Sequence, residues 1–66
     1  MQLESIDTSE ELLSGQKYRF YYGIIAMVGI YKPGKGDEKR YPTFSVDGRL
    51  YSTNRSQVTT KVVDNG

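Results

Sequence analysis

Aromatic and cationic side chains alternate through the middle of this sequence. All eight aromatic residues lie between Tyr18 and Tyr51, and Lys17, Arg19, Lys32, Lys35, Lys39, Arg40 and Arg49 stand among them. Flat rings beside positive charge can stack unpaired bases while the cations follow the phosphates, each stacked base contributing roughly 1–3 kcal/mol. On that chemistry Arg19, Tyr21, Tyr31, Lys35, Lys39, Arg40 and Tyr41 form a candidate site for single-stranded nucleic acid. The competing explanation is structural: rings of this size fill a small core, and tyrosine hydroxyls reach outward to hydrogen-bond partners.

Catalytic chemistry has little to work with. The chain has no histidine and no cysteine, so the common imidazole base and the thiolate nucleophile are both missing. Asp37 and Glu38 lie in a glycine-flanked loop, and Asp47 is explained by the turn it makes with Gly48. Ser45, Ser52, Thr53 and Ser56 have no imidazole to activate them. Gly34-Lys35-Gly36 resembles a fragment of a phosphate-cradling loop, but it lacks the full Gly-x-x-x-x-Gly-Lys-Ser/Thr spacing and no helix follows it. The sequence therefore predicts a non-enzyme with no cofactor and no metal. An active site shared at the centre of an oligomer is the remaining enzymatic alternative.

A chain of 66 residues has room for one domain. At this length folding buries only about 60% of the unfolded surface, and stability is marginal. Without cysteine there is no disulfide to compensate, which leaves association as a route to more buried area. The formal net charge is +1, too mild to select a partner, but the charge is unevenly placed. Residues 1–12 carry Glu4, Asp7, Glu10 and Glu11 and no cation, whereas residues 13–66 carry nine cations against four carboxylates. The acidic start has neither the basic nor the apolar region of a signal peptide. The apolar run from Tyr18 to Tyr31 is shorter than the roughly 20 residues of a membrane span. These features predict a cytoplasmic protein with no membrane partner.

The elements follow from period and punctuation. Thr8-Ser9-Glu10-Glu11 matches a capping box, so residues 1–14 read as an acidic arm or a short helical turn. Lys17 to Tyr22 alternates as a strand, with Tyr18, Phe20 and Tyr22 on one face. Gly23 marks a turn or bulge. Ile24 to Lys32 is a second strand, apolar on both faces. With Ile24, Ala26, Val28 and Ile30 inward, Ile25, Met27 and Tyr31 form an outward row of the kind that marks a contact surface. Together with Lys32 this row is the candidate protein-binding site. Alternatively, the arm folds over that row through Leu3, Ile6, Leu12 and Leu13. Pro33 to Glu38 is the clearest loop. A third strand covers Arg40 to Val46, and Asp47-Gly48 suits a two-residue type I′ hairpin that pairs Phe44 with Tyr51 and Val46 with Arg49. The rival is a three-residue loop that pairs Phe44 with Leu50. Ser52 to Ser56 is a polar turn, and Gln57 to Val63 is the last strand.

Gly15-Gln16-x-Tyr18-x-Phe20, Gly29-Ile30, Phe44-x-Val46-Asp47-Gly48 and Val58-x-x-Lys61-Val62, in this order, resemble the layout of an SH3-like barrel. The expected fold is all-β: a small five-stranded SH3-like barrel over residues 15–66, preceded by the arm of residues 1–14. Many unrelated functions sit on such barrels. The expected function is a non-enzymatic interaction module that binds another protein, or a second copy of itself, through Ile25, Met27, Tyr31 and Lys32. Its size fits an accessory or inhibitory factor such as viruses and mobile elements encode. The alternative is a small barrel binding single-stranded nucleic acid through its tyrosines and cations.

Overall fold

The computed structural model describes residues 2–34, 37 and 39–63. The chain is all-β, with β1 (Gln2–Ser5), β2 (Lys17–Tyr22), β3 (Ile25–Tyr31), β4 (Thr43–Val46), β5 (Arg49–Ser52), a single 3₁₀ turn (Arg55–Gln57) and β6 (Val58–Val63). These strands make one six-stranded antiparallel sheet in the order β1-β6-β2-β3-β4-β5.

The expected five-stranded closed barrel is not what forms. The sheet is open, and it has a sixth strand within the segment expected to be an arm or helical turn. Gln2 to Ser5 pairs with Val63 to Thr60, and Lys61 reaches Glu4 at 3.6 Å. This pairing occupies the edge of β6 that barrel closure would need, leaving β1 and β5 as the two edges. No helix forms at Thr8. The Asp7 carboxylate accepts the Ser9 N–H at 3.3 Å, and the Asp7 carbonyl accepts the Glu10 N–H at 3.0 Å. Asp7, not Thr8, thus directs the local turn.

The hairpins follow their turn chemistry. Asp47 (φ 50°) and Gly48 (φ 81°) are both left-handed, as a type I′ turn requires, and the register pairs Phe44 with Tyr51 and Val46 with Arg49. Gly23 (φ 66°) begins the two-residue link between Tyr22 and Ile25. Only its first residue needs positive φ, the type II′ pattern.

The core is aromatic. Tyr18, Phe20, Tyr31 and Phe44 are buried around Val58. Phe20 and Phe44 stack at 4.5 Å between centroids, Tyr18 meets Phe44 edge-on at 6.0 Å, and Tyr31 meets Tyr18 edge-on at 6.5 Å. These are the offset and T-shaped contacts that the ring quadrupoles favour. The Tyr18 hydroxyl accepts the Leu13 N–H at 2.8 Å, so its burial leaves no polar atom stranded.

Filling the core with rings sets the facing of β3, and it is the reverse of the expected one. Gly29 and Tyr31 are buried and Met27 is half-buried against the cluster, while Ala26, Val28 and Ile30 face outward. Gly29 is what permits this. A Cβ there would sit 2.7 Å from Val46 Cγ2, 2.9 Å from the Ser45 carbonyl oxygen and 3.1 Å from Phe44 Cβ. In β6 the register against β2 shifts between Arg19 and Phe20, from Arg19↔Thr60 to Phe20↔Val58. This bulge sets Val58 and Val62 on opposite faces.

Gly29→Ala should therefore lower folding stability by about 1–3 kcal/mol, because a backbone oxygen and a packed side chain must both move. Denaturant unfolding followed by tyrosine fluorescence will show an unchanged midpoint if β3 has room to spare.

Candidate interaction surface

The residues proposed for partner contact separate in the structure. Ile25 is exposed beside the β2–β3 hairpin tip. Met27 packs against the core, and Tyr31 is only 6% exposed within it. Lys32 is exposed, and its N–H donates to the Thr43 carbonyl at 2.9 Å. The row Ile25, Met27, Tyr31 is therefore not one outward surface. Ile6 and Leu12 from the N-terminal segment pack on the core that includes Met27 and Tyr31, whereas Leu3 and Leu13 stay exposed.

The residues proposed for nucleic acid form two groups. Arg19 and Tyr21 share the outward face of β2, with the Arg19 guanidinium 5.7 Å from the ring centroid of Tyr21. Lys39, Arg40 and Tyr41 are exposed just before β4, and Arg40 lies 3.9 Å from the Asp37 carboxylate. Tyr31, which would have linked the two groups, is in the core. Lys35 lies outside the described residues.

Two features were not read from the sequence. The first is an exposed aliphatic stripe on the outward face of β2 to β5. Lys17 pairs with Ile30, Ile30 with Ser45 and Ser45 with Leu50, so these four residues form a row across four strands. Arg19 and Val28 make a parallel pair beside it. Val28, Ile30 and Leu50 are 40%, 37% and 54% exposed, and Ile24 at the hairpin tip is 97% exposed. Lys17 and Arg19 are the charges at the margin, and among the described residues neither has a carboxylate within ion-pair distance. A signal was available in Gly29: it shares the parity of Met27 and Tyr31, and a residue without a side chain is what a ring-filled face needs opposite its rings.

The second feature is Arg55. Its guanidinium donates to the carbonyls of Val58 at 3.0 Å, Asp7 at 2.9 Å and Glu10 at 2.7 Å. It ties the N-terminal segment to the start of β6. Beside it lies an open groove of about 690 Å³ between residues 8–14 and Tyr31, Pro33 and Lys39. Glu10 and Glu11 contribute acid to the groove, and Lys39 and Arg55 contribute base. Its serine and threonine hydroxyls have no imidazole in the chain to activate them. Among the described residues no group of three or more His, Cys, Asp or Glu could hold a metal ion, and no helix is long and apolar enough to cross a membrane.

Compared with protein-family models, curated proteins and solved structures, the chain matches none.

Arg55→Ala should release the segment around residues 7–10 and cost roughly 1–3 kcal/mol, since hydrogen bonds to a charged group are lost and carbonyls are left to find water. Arg55→Lys should recover little, because one ammonium cannot reproduce the planar fork. Amide exchange read at residues 7–10 distinguishes this local release from global unfolding, and unchanged protection there would refute the tether.

Proposed function

We propose that this chain is a non-enzymatic interaction module that binds another protein through the outward face of β2, β3 and β5. One observation carries the proposal: Val28, Ile30 and Leu50 are exposed on one side of the sheet, close to the cations Lys17 and Arg19, neither of which has a carboxylate within ion-pair distance among the described residues. Exposed aliphatic side chains grouped on a face gain by being covered. A cationic margin favours a partner that is acidic around an apolar centre, and opposite charges there raise the association rate. The site moves from the row of Met27 and Tyr31 to that of Val28 and Ile30, while Ile25 keeps its place beside Ile24 at the tip. For the fold we propose an open variant of the SH3-like layout. The run β6-β2-β3-β4-β5 and the 3₁₀ turn before the last strand support it, with β1 as an addition. A cytoplasmic accessory or inhibitory factor is the role that suits such a module.

A second reading has one observation in its favour. Arg19 and Tyr21 present a guanidinium and a ring together on the same outward face, beside Lys17. Single-stranded nucleic acid could use that pair, with Lys39, Arg40 and Tyr41 as a separate contact. The aliphatic character of the stripe argues for protein instead, because bases stack on rings.

Replacing Val28 and Ile30 together with lysine should leave the thermal midpoint close to that of the wild type and abolish capture of the partner. If the double variant unfolds, the stripe is structural and the proposal fails. Oligonucleotide titration tests the second reading. Binding should weaken with salt at a slope of about −0.7 per phosphate contacted, and Tyr21→Ala should weaken it further. No affinity at low salt would dispose of it.

A further inference from the structure

The β5 edge is open, and its features are self-complementary. In a two-residue type I′ hairpin the residues flanking the turn exchange both ladder bonds, and alternation follows from there. Val46 and Arg49 flank this turn, so Arg49 and Tyr51 direct their N–H and C=O groups toward β4. Leu50 directs both of its groups away from β4, and among the described residues no strand lies on that side. The side chain of Leu50 is exposed. Sheet edges of this kind are usually guarded by proline, a bulge or a central charge. Arg49-Leu50-Tyr51-Ser52 carries none of these along its middle, its one charge standing at the turn end. The opposite edge is different: β1 carries Glu4 in an ion pair with Lys61.

We propose that β5 pairs antiparallel with β5 of a second copy of this chain, with Leu50 opposite Leu50. A two-fold axis perpendicular to the sheet relates the copies and closes the assembly as a dimer. Each Leu50 N–H donates to the Leu50 carbonyl of the other copy. The outward row Lys17, Ile30, Ser45, Leu50 then continues through Leu50, Ser45, Ile30 and Lys17 of the second copy. On the inward side Arg49 of each copy stands opposite Tyr51 of the other, where a guanidinium can cover a ring. The chain has no disulfide and a small aromatic core, so added burial at this edge offsets its marginal size. A four-residue strand makes a short contact, and the dimer is reversible with a mass that depends on concentration. The pairing does not rest on what the outward face binds, although it would double that face.

Single cysteines provide the test, because the chain has none of its own. Opposed residues in a hydrogen-bonded antiparallel pair have Cα atoms about 5.5 Å apart, within the range a disulfide spans. Oxidised Leu50→Cys should become a covalent dimer, while Leu13→Cys, equally exposed but away from the edge, should stay monomeric. Sedimentation of the wild type should show a mass rising toward two chains, and Leu50→Lys should return it to one. Leu50→Pro should do the same with the hairpin retained, because the N–H it removes points outward. A wild-type mass of one chain at the highest soluble concentration would overturn the inference. Cross-linking through Tyr51→Cys but not Leu50→Cys would overturn the assigned register. If the wild type is monomeric and Val28 with Ile30 still proves necessary for capture of another protein, the edge pairing falls and the proposed function stands.

Discussion

The close approach of β3 to β4 at Gly29 governs much of this molecule. Four rings occupy the interior, and such volume fits a sheet this small only where a neighbouring strand contributes nothing above its backbone. Gly29 lies in that position, next to Phe44 and Val46. The consequence runs along the whole strand. Side chains alternate with a period of two, so placing Gly29 and Tyr31 inward turns Ala26, Val28 and Ile30 outward. The aliphatic residues that would ordinarily build a core are displaced to the surface by aromatic ones.

That exchange also shapes how the rest of the chain closes the fold. One face of an open sheet needs cover, and the N-terminal segment supplies it. Ile6 and Leu12 pack on the rings, the Leu13 N–H bonds the Tyr18 hydroxyl, and Arg55 holds the carbonyls of Asp7 and Glu10. The segment is acidic in sequence, but most of its structural work is done by backbone carbonyls and aliphatic side chains; among the described residues its carboxylates contribute the Glu4 ion pair with Lys61 and the Asp7 turn. Charge patterning therefore said little about its role. The acidic residues face water, which suits a solvated covering loop.

The outward face follows from the same constraint. With Met27 and Tyr31 committed inside, the large aliphatic side chains that β3 and β5 expose on the outward face are Val28, Ile30 and Leu50, with Ile24 and Ile25 exposed at the hairpin tip. It is an aliphatic surface with cations at its margin, and the aromatic platform suggested by the tyrosine count is divided. Tyr18 and Tyr31 are structural, Tyr22 and Tyr51 meet edge-on at 5.1 Å, and Tyr21 lies beside Arg19. Only Tyr41 is a largely exposed ring without a ring or cation contact of its own among the described residues.

By itself the sequence determined the all-β class, the limits of the β2 strand, and the Asp47-Gly48 hairpin with its register. Each of these depends on local chemistry: alternation over a few residues, or two adjacent residues able to hold positive φ. The facing expected for β3, with Ala26, Val28 and Ile30 inward, was the wrong one: both of its faces are apolar, so hydrophobic alternation carries no sign there, and only contact with Phe44 and Val46 decides it. The pairing of Gln2–Ser5 with β6 was also illegible, since this short polar strand gains its order from residues nearly sixty positions away. Arg55 falls in the same class. In sequence it is one cation in a polar turn, and its meaning lies in three carbonyls that only the folded chain brings within reach.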